Sequence, residues 1–245
     1  EEAILVAFER GRACNDSKNI HGAMAAVGVG HEELQKILPH DIDIACHNSS
    51  DLSTITGPYD SIQKFMQDLS AKGIFAKEVQ SSGIALHSRY ISEYAQLYYK
   101  SIEKVIKNPK KRSSKWISST YPESSWDIED CQFVTAEYTT KNLTNPVLFE
   151  EAMKKIPSNA LVIEIGPHAL LKSILKRSLK GAVLINPLQR NEPNGCDLLM
   201  SSLGEIFMNG YDVQISNLYP QISFPVSRGT PMISSLIKWN HEENF

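Results

Sequence analysis

Gly22-Ala23-Met24-Ala25-Ala26-Val27-Gly28, Ile42-Asp43-Ile44-Ala45-Cys46-His47, Leu52-Ser53-Thr54-Ile55-Thr56 and Phe75-Ala76-Lys77-Glu78-Val79 are four short stretches with strand character. Residues 31–38 between the first two have helix composition and stop at Pro39. The second and third are joined by the polar turn Asn48-Ser49-Ser50-Asp51, which predicts a hairpin. Pro58 suits a helix start, and Ile62, Phe65, Met66 and Leu69 recur at helical spacing up to the left-handed cap Gly73. The order β-α-β-β-α-β predicts a split βαβ, ferredoxin-like subdomain over residues 21–87. RNA-recognition modules share that order but stack bases on aromatics of their central strands. Residues 23–29 and 52–56 contain none, which argues against RNA binding.

Outward from this unit the pattern changes. Ile91, Tyr94, Leu97, Tyr98, Ile102, Val105 and Ile106 predict an amphipathic helix over 90–107. Residues 115–121 have strand character, 146–156 helical, 160–165 strand, 168–179 helical, 183–185 strand and 197–208 helical. Apolar strands alternating with helices predict an α/β body whose parallel sheet is covered on both faces. The 21–87 unit is then an insertion between a leading helix (1–20) and that body (88–212). At the start, Ala3-Ile4-Leu5-Val6-Ala7-Phe8 leaves a helix no polar face, so it is expected in the interior of a larger body with covering material upstream. Residues 213–245 hold Pro220, Pro225 and Pro231 with Ile222, Phe224, Ile233, Ile237 and Trp239, which predicts an extended linker packed against the body.

The composition of the 245 residues is ordinary for a globular chain, with 42% hydrophobic and 22% charged residues and a net charge of −3. Mild acidity excludes a bulk electrostatic grip on nucleic acid. Cys14, Cys46, Cys131 and Cys196 show no C-x-x-C spacing, so no zinc knuckle or redox motif is expected and reduced thiols in the cytoplasm are. No apolar run is long enough for a membrane span, and no signal peptide is read. The sequons at Asn15, Asn48 and Asn142 read as chance.

Taken alone, the chemistry-bearing residues make no complete site. There is no G-x-S-x-G, H-E-x-x-H, P-loop or G-x-G-x-x-G. His87 falls where the insertion returns to the body, a common place for ligands, yet it is one of seven histidines. Arg10 on the apolar first helix needs a partner if buried, or is solvated at the helix end. Asn142 reads as turn chemistry and His168 as a first-turn residue. Lys107, Lys110, Lys111, Arg112 and Lys115 form a basic run, either a solvated turn or a docking patch for an acidic partner. Lys77 and Arg177 are surface charges or phosphate contacts.

Several stretches in order resemble one family. Gly22–Gly28, Ala45-Cys46-His47-Asn48-Ser49, Thr54-Ile55-Thr56-Gly57-Pro58, Phe75–Val79 and Ile163-Glu164-Ile165-Gly166-Pro167-His168-Ala169-Leu170-Leu171 closely resemble the malonyl/acetyltransferase domain of animal type I fatty acid synthase. Arg228-Gly229-Thr230-Pro231 through Ile237-Lys238-Trp239 resembles the linker after that domain. The resemblance implies an α/β-hydrolase-like body, incomplete here, with an inserted ferredoxin-like subdomain. It implies transfer of malonyl or acetyl groups from coenzyme A to the phosphopantetheine thiol of an acyl carrier protein, with no bound cofactor or metal. Implied partners are that carrier, neighbouring synthase domains and a second copy in a homodimer. The nucleophile is expected in a G-H-S-x-G elbow upstream of Glu1, leaving the isolated chain inactive and poorly folded.

Residue by residue, the resemblance makes His87 the general base and Arg10 the holder of the malonate carboxylate. It makes Asn142 the residue whose backbone carbonyl orients the histidine, and sets Lys77 and Arg177 at the pocket mouth. Leu86 stands where malonyl-using relatives have Phe, which predicts a roomier pocket that better tolerates methylmalonyl groups. Two other readings stay open: a non-catalytic module that binds the carrier protein, and a free-standing bacterial-type transacylase, which the long linker fits poorly.

Overall fold

The computed structural model describes residues 1–16 and 21–236, apart from the side chains of Glu93, Ile233 and Ser235. Helix α1 (Glu2–Asp16) leads into the inserted unit. This comprises β1 (Gly22–Val27), α2 (His31–Gln35), β2 (Asp43–Ser49), β3 (Leu52–Pro58), α3 (Tyr59–Ala71) and β4 (Ala76–Val79). The four strands form one antiparallel sheet in the order β2-β3-β1-β4. Alternation along β1 and β3 sends Ala25, Val27 and Ile55 inward, where they meet Ile62 and Leu69 of α3 and Leu34 of α2, all fully buried. Each large aliphatic side chain so buried stabilises by roughly 1.5–3 kcal/mol. The βαββαβ order is the one the residue pattern predicts.

Next come α4 (Ser92–Val105), a short ladder of β5 (Lys110–Lys111), α5 (Glu129–Gln132), β6 (Phe133–Val134), then α6 (Ala136–Thr144) and α7 (Phe149–Met153). Helices α1, α4 and α6 pack around Ala13, Ile91, Tyr98, Ile102 and Leu143. Last are β7 (Leu161–Ile163), α8 (Lys172–Ser178), β8 (Val183–Ile185) and α9 (Gly195–Met208). Strands β7 and β8 pair in parallel, and their apolar face meets Met153, Leu175 and Leu179. The molecule is of the α/β class.

Three expectations need correction, and a fourth is left open. Residues 115–121 form no strand, because their groups are engaged otherwise. Ser118 Oγ lies 2.9 Å from the Tyr138 hydroxyl, and the Ser119 carbonyl accepts from Leu148 N–H at 2.8 Å. The helix expected from 168 begins at Lys172, because the Glu164 carboxylate accepts from Leu170 and Leu171 N–H at 2.8 and 2.9 Å and fixes the turn before it. Helix α1 packs on α4 with one side and leaves Ile4 and Phe8 75% and 62% exposed, so the described residues do not supply the cover expected for its other side. The segment after Tyr211 does not bury its apolar residues, with Ile222 and Phe224 at 71% and 84% exposure. Ile237 and Trp239 lie outside the described residues.

The insertion is stitched to the body along one edge. Val147 runs parallel to β2, donating to the Ala45 carbonyl at 2.8 Å and accepting from His47 N–H at 2.9 Å. At the other side of the unit, a Cβ on Gly22 would stand 2.5 Å from the Ala85 nitrogen. Only glycine lets β1 approach residues 83–87 so closely.

Candidate active site

The return segment carries His87 into the crevice between the insertion and α6. Its backbone is left-handed, with φ 57°, and its N–H donates to the Leu143 carbonyl at 3.2 Å. An L-residue rarely holds that conformation without a surrounding structure that enforces it. Here Ser88 does so next door, donating to the Ala85 carbonyl at 2.7 Å and accepting from Tyr90 N–H at 3.2 Å. Two residues on, Arg89 grips Asp43 of β2 through several contacts, including Nε at 2.9 and 3.1 Å from its two carboxylate oxygens. Burial pushes the Asp43 carboxyl up, but the Arg89 hydrogen bonds and charge outweigh it and the net direction is down.

The ring of His87 has a defined proton arrangement. Nδ1 lies 3.0 Å from the backbone carbonyl of Asn145. A carbonyl can only accept, so Nδ1 carries the hydrogen and Nε2 keeps a free lone pair. Burial pushes the imidazolium pKa down, the Arg10 charge pushes it further, and the Asn145 carbonyl offsets part of this, leaving it at about 4. The ring is therefore neutral at pH 7, and Nε2 is a competent proton acceptor. It borders a cavity of 620 Å³ together with His31, Asp43, His47, Thr144 and Pro146.

The orienting carbonyl thus belongs to Asn145, not Asn142. Helix α6 ends at Thr144, and its carbonyls up to there point along the helix axis. Asn145, with φ −78° and ψ 156°, is extended, and its carbonyl is free to turn toward the ring. Asn142, one helical turn earlier, works through its side chain. Its Oδ1 accepts from Arg10 Nη1 at 2.8 Å, and its Nδ2 donates to Thr120 Oγ1 at 2.9 Å. Arg10 and Asn142 line a second cavity of 630 Å³ with Tyr98, Trp116, Ser119 and Tyr138. Arg10 and His87 are thus close enough for charge to act on the ring, yet they border separate cavities.

The remaining candidates disperse. Leu86 packs against the helical cluster and lines neither cavity. Lys77 is exposed on β4, the sheet edge opposite β2. Arg177 is engaged by Asp51 at 3.0 Å on the surface. His168 Nδ1 accepts from Arg190 N–H at 3.4 Å, away from both cavities. Arg112 of the basic run turns inward, donating to the Trp116 carbonyl at 3.1 Å and lying over the Tyr138 ring at 5.7 Å, while Lys110 and Lys111 stay exposed. No disulfide joins the four cysteines among the described residues. Burial raises the Cys46 thiol to about 11, so it stays protonated. No helix among the described residues is long and apolar enough to cross a membrane.

Sequence reasoning missed Asn145, His31 and the Asp43–Arg89 pair. A backbone acceptor leaves no side-chain signature, and the only cue was the extended geometry that Pro146 favours in the residue before it.

Known proteins share this architecture. The chain is 32% identical to a highly reducing polyketide synthase of Aspergillus nomiae, the match covering 98% of this chain and 10% of that protein. It is 31% identical to one of Aspergillus sclerotiorum, over 89% of this chain and 9% of that one. It therefore spans about a tenth of the length of these relatives. Among solved structures, the acyltransferase domain from the second module of the salinomycin polyketide synthase superposes with a TM-score of 0.73 at 17% identity, covering 89% of this chain and 51% of that one. The malonyl CoA-acyl carrier protein transacylase of Coxiella burnetii superposes with a TM-score of 0.65 at 18% identity, covering 82% and 63%. The model of the acyl transferase domain matches residues 1–213, and the chain belongs to that family.

Proposed function

We propose that this chain forms the acid–base and carboxylate-binding part of a malonyl/acetyl-CoA:acyl carrier protein transacylase within a fatty acid synthase of the animal type. The observation that carries the reading is His87 on the lining of a cavity, its Nδ1 held at 3.0 Å by the Asn145 carbonyl so that Nε2 carries the lone pair. No G-x-S-x-G occurs among the 245 residues, and Ser88, which borders the cavity, spends its hydroxyl on the Ala85 carbonyl. The acyl-bearing serine is accordingly assigned to a segment outside residues 1–245, and the chain alone is expected to be inactive.

In this reading His87 Nε2 takes the serine proton as the hydroxyl oxygen attacks the thioester carbonyl. The resulting imidazolium returns that proton to the departing coenzyme A sulfur. In the second half, Nε2 takes the proton of the phosphopantetheine thiol. The sulfur attacks the acyl ester, and the proton goes back to serine. The chemistry needs acyl-CoA and the carrier thiol, and no bound cofactor enters it. Arg10, held by Asn142 on the wall of the second cavity, would pair with the free carboxylate of malonate in two parallel bonds, which a lysine cannot reproduce, and this part of the reading requires that cavity to open onto His87. The carrier protein, neighbouring domains of a homodimeric synthase and a cytoplasmic setting complete the proposal. The test is acyl transfer from malonyl-CoA to carrier protein by the full-length natural protein and its His87→Ala variant. A loss of roughly 10²–10⁴-fold is expected. An unchanged rate would reject the assignment, and carrier binding without any transfer by the natural protein would favour a binding module.

A further inference from the structure

We propose that His31, His47 and Glu151 form a binding site for a divalent cation of the zinc class. The three residues come from the start of α2, from β2 and from α7, so the fold rather than local sequence brings them together. Their ligand atoms all lie within 4.8 Å of one another. The two imidazoles stack almost parallel, with ring centres 3.8 Å apart and 6° between planes. His47 Nδ1 is 2.6 Å from Glu151 Oε1, and His31 Nε2 is 4.0 Å from the same oxygen.

A further observation points to a missing positive charge. Oε2 of Glu151 is buried without a hydrogen-bond partner. A buried carboxylate oxygen in that state is costly unless a cation or proton compensates it. Glu150 already faces His31 Nδ1 at 3.5 Å and is held by Lys154 at 3.2 Å. That separation is longer than a hydrogen bond; it sets Glu150 on the Nδ1 side of the ring and leaves Nε2 on the side of Glu151. Two imidazoles and one carboxylate are a donor set that zinc accepts, with bonds of about 2.0–2.2 Å that set ligand atoms roughly 3.3–3.5 Å apart. His47 Nδ1 and Glu151 Oε1 must therefore part from 2.6 Å while His31 Nε2 moves in from 4.0 Å. For both lone pairs to meet one ion, the stacked rings must tilt apart at one edge. The cation displaces the proton shared by His47 and Glu151. His31 and His47 also line the cavity that His87 borders. A bound ion ties the insertion to the body, because Glu151 belongs to the latter.

The experiment uses the full-length natural protein, stripped with chelator and dialysed against micromolar zinc or cobalt, beside the His47→Ala, Glu151→Gln and His40→Ala variants. His40 is exposed and outside the cluster. Retained metal is counted by mass spectrometry, cobalt geometry is read from visible absorption, and folding is checked by circular dichroism. The expected result is loss of one metal equivalent and of the tetrahedral cobalt bands in His47→Ala and Glu151→Gln, with His40→Ala unchanged. Zinc also raises the unfolding midpoint of the natural protein but not of folded Glu151→Gln. Equal metal content in natural protein and folded Glu151→Gln overturns the proposal, as does occupancy only at millimolar metal.

Discussion

Nδ1 of His87 and the carbonyl of Asn145, 58 residues apart in the chain, stand 3.0 Å from each other. The contact selects one tautomer without using an acidic side chain. A nearby carboxylate would raise the imidazolium pKa, whereas a neutral carbonyl raises it less than burial and Arg10 lower it.

Transfer by the full-length protein should therefore keep its base deprotonated well into acid. The acidic limb of kcat/KM is expected near pH 4 rather than 6.5. Stability carries the same sign. Between about 4 and 6.5 the unfolded chain binds a proton on this histidine that the folded chain does not, so stability falls as pH drops through that window. His87→Gln should flatten that part of the pH–stability curve. A limb near 6.5 and an unchanged curve would contradict the burial argument.

Asn142→Ala removes the acceptor of Arg10 Nη1. A hydrogen bond to a charged group contributes about 1.5–3 kcal/mol. The catalytic efficiency with malonyl-CoA should drop at least about tenfold relative to acetyl-CoA, which has no free carboxylate. Equal losses on both substrates would detach Arg10 from carboxylate recognition.

Gly22→Ala drives a methyl group into the backbone at Ala85, two residues before His87. Overpacking of this kind costs about 1–3 kcal/mol. Chemical denaturation should register that cost, and transfer should slow because the return segment moves. A variant with natural stability and rate would show that the segment adapts freely.

Leu86→Phe enlarges a side chain that packs on the helical cluster, not on a cavity wall. The expected outcome is destabilisation of about 1–3 kcal/mol with the malonyl-to-methylmalonyl preference unchanged. A shift in that preference without loss of stability would restore the roomier-pocket idea.

The inserted subdomain was legible because its strands and α3 obey local periodicities, and Gly73 and the Asn48–Asp51 turn punctuate them. His87 and Arg10 were legible only through resemblance, since neither has a spacing rule of its own. The strand expected at 115–121 failed because hydroxyl and carbonyl contacts to α6 and Leu148 replaced a ladder, and no apolar pattern encodes such contacts. The apolar run of helix α1 is legible in the sequence, and its bare side carries Ile4 and Phe8. Asn145 was hidden because its part is played by main chain.

The stitch between Val147 and β2 sets the mechanics of the cleft. Two backbone hydrogen bonds hold that edge, Val147 N–H to the Ala45 carbonyl and His47 N–H to the Val147 carbonyl. Asn145 sits two residues from that stitch. A shift of this segment away from β2 would draw the Asn145 carbonyl off the imidazole and loosen its hold on the tautomer.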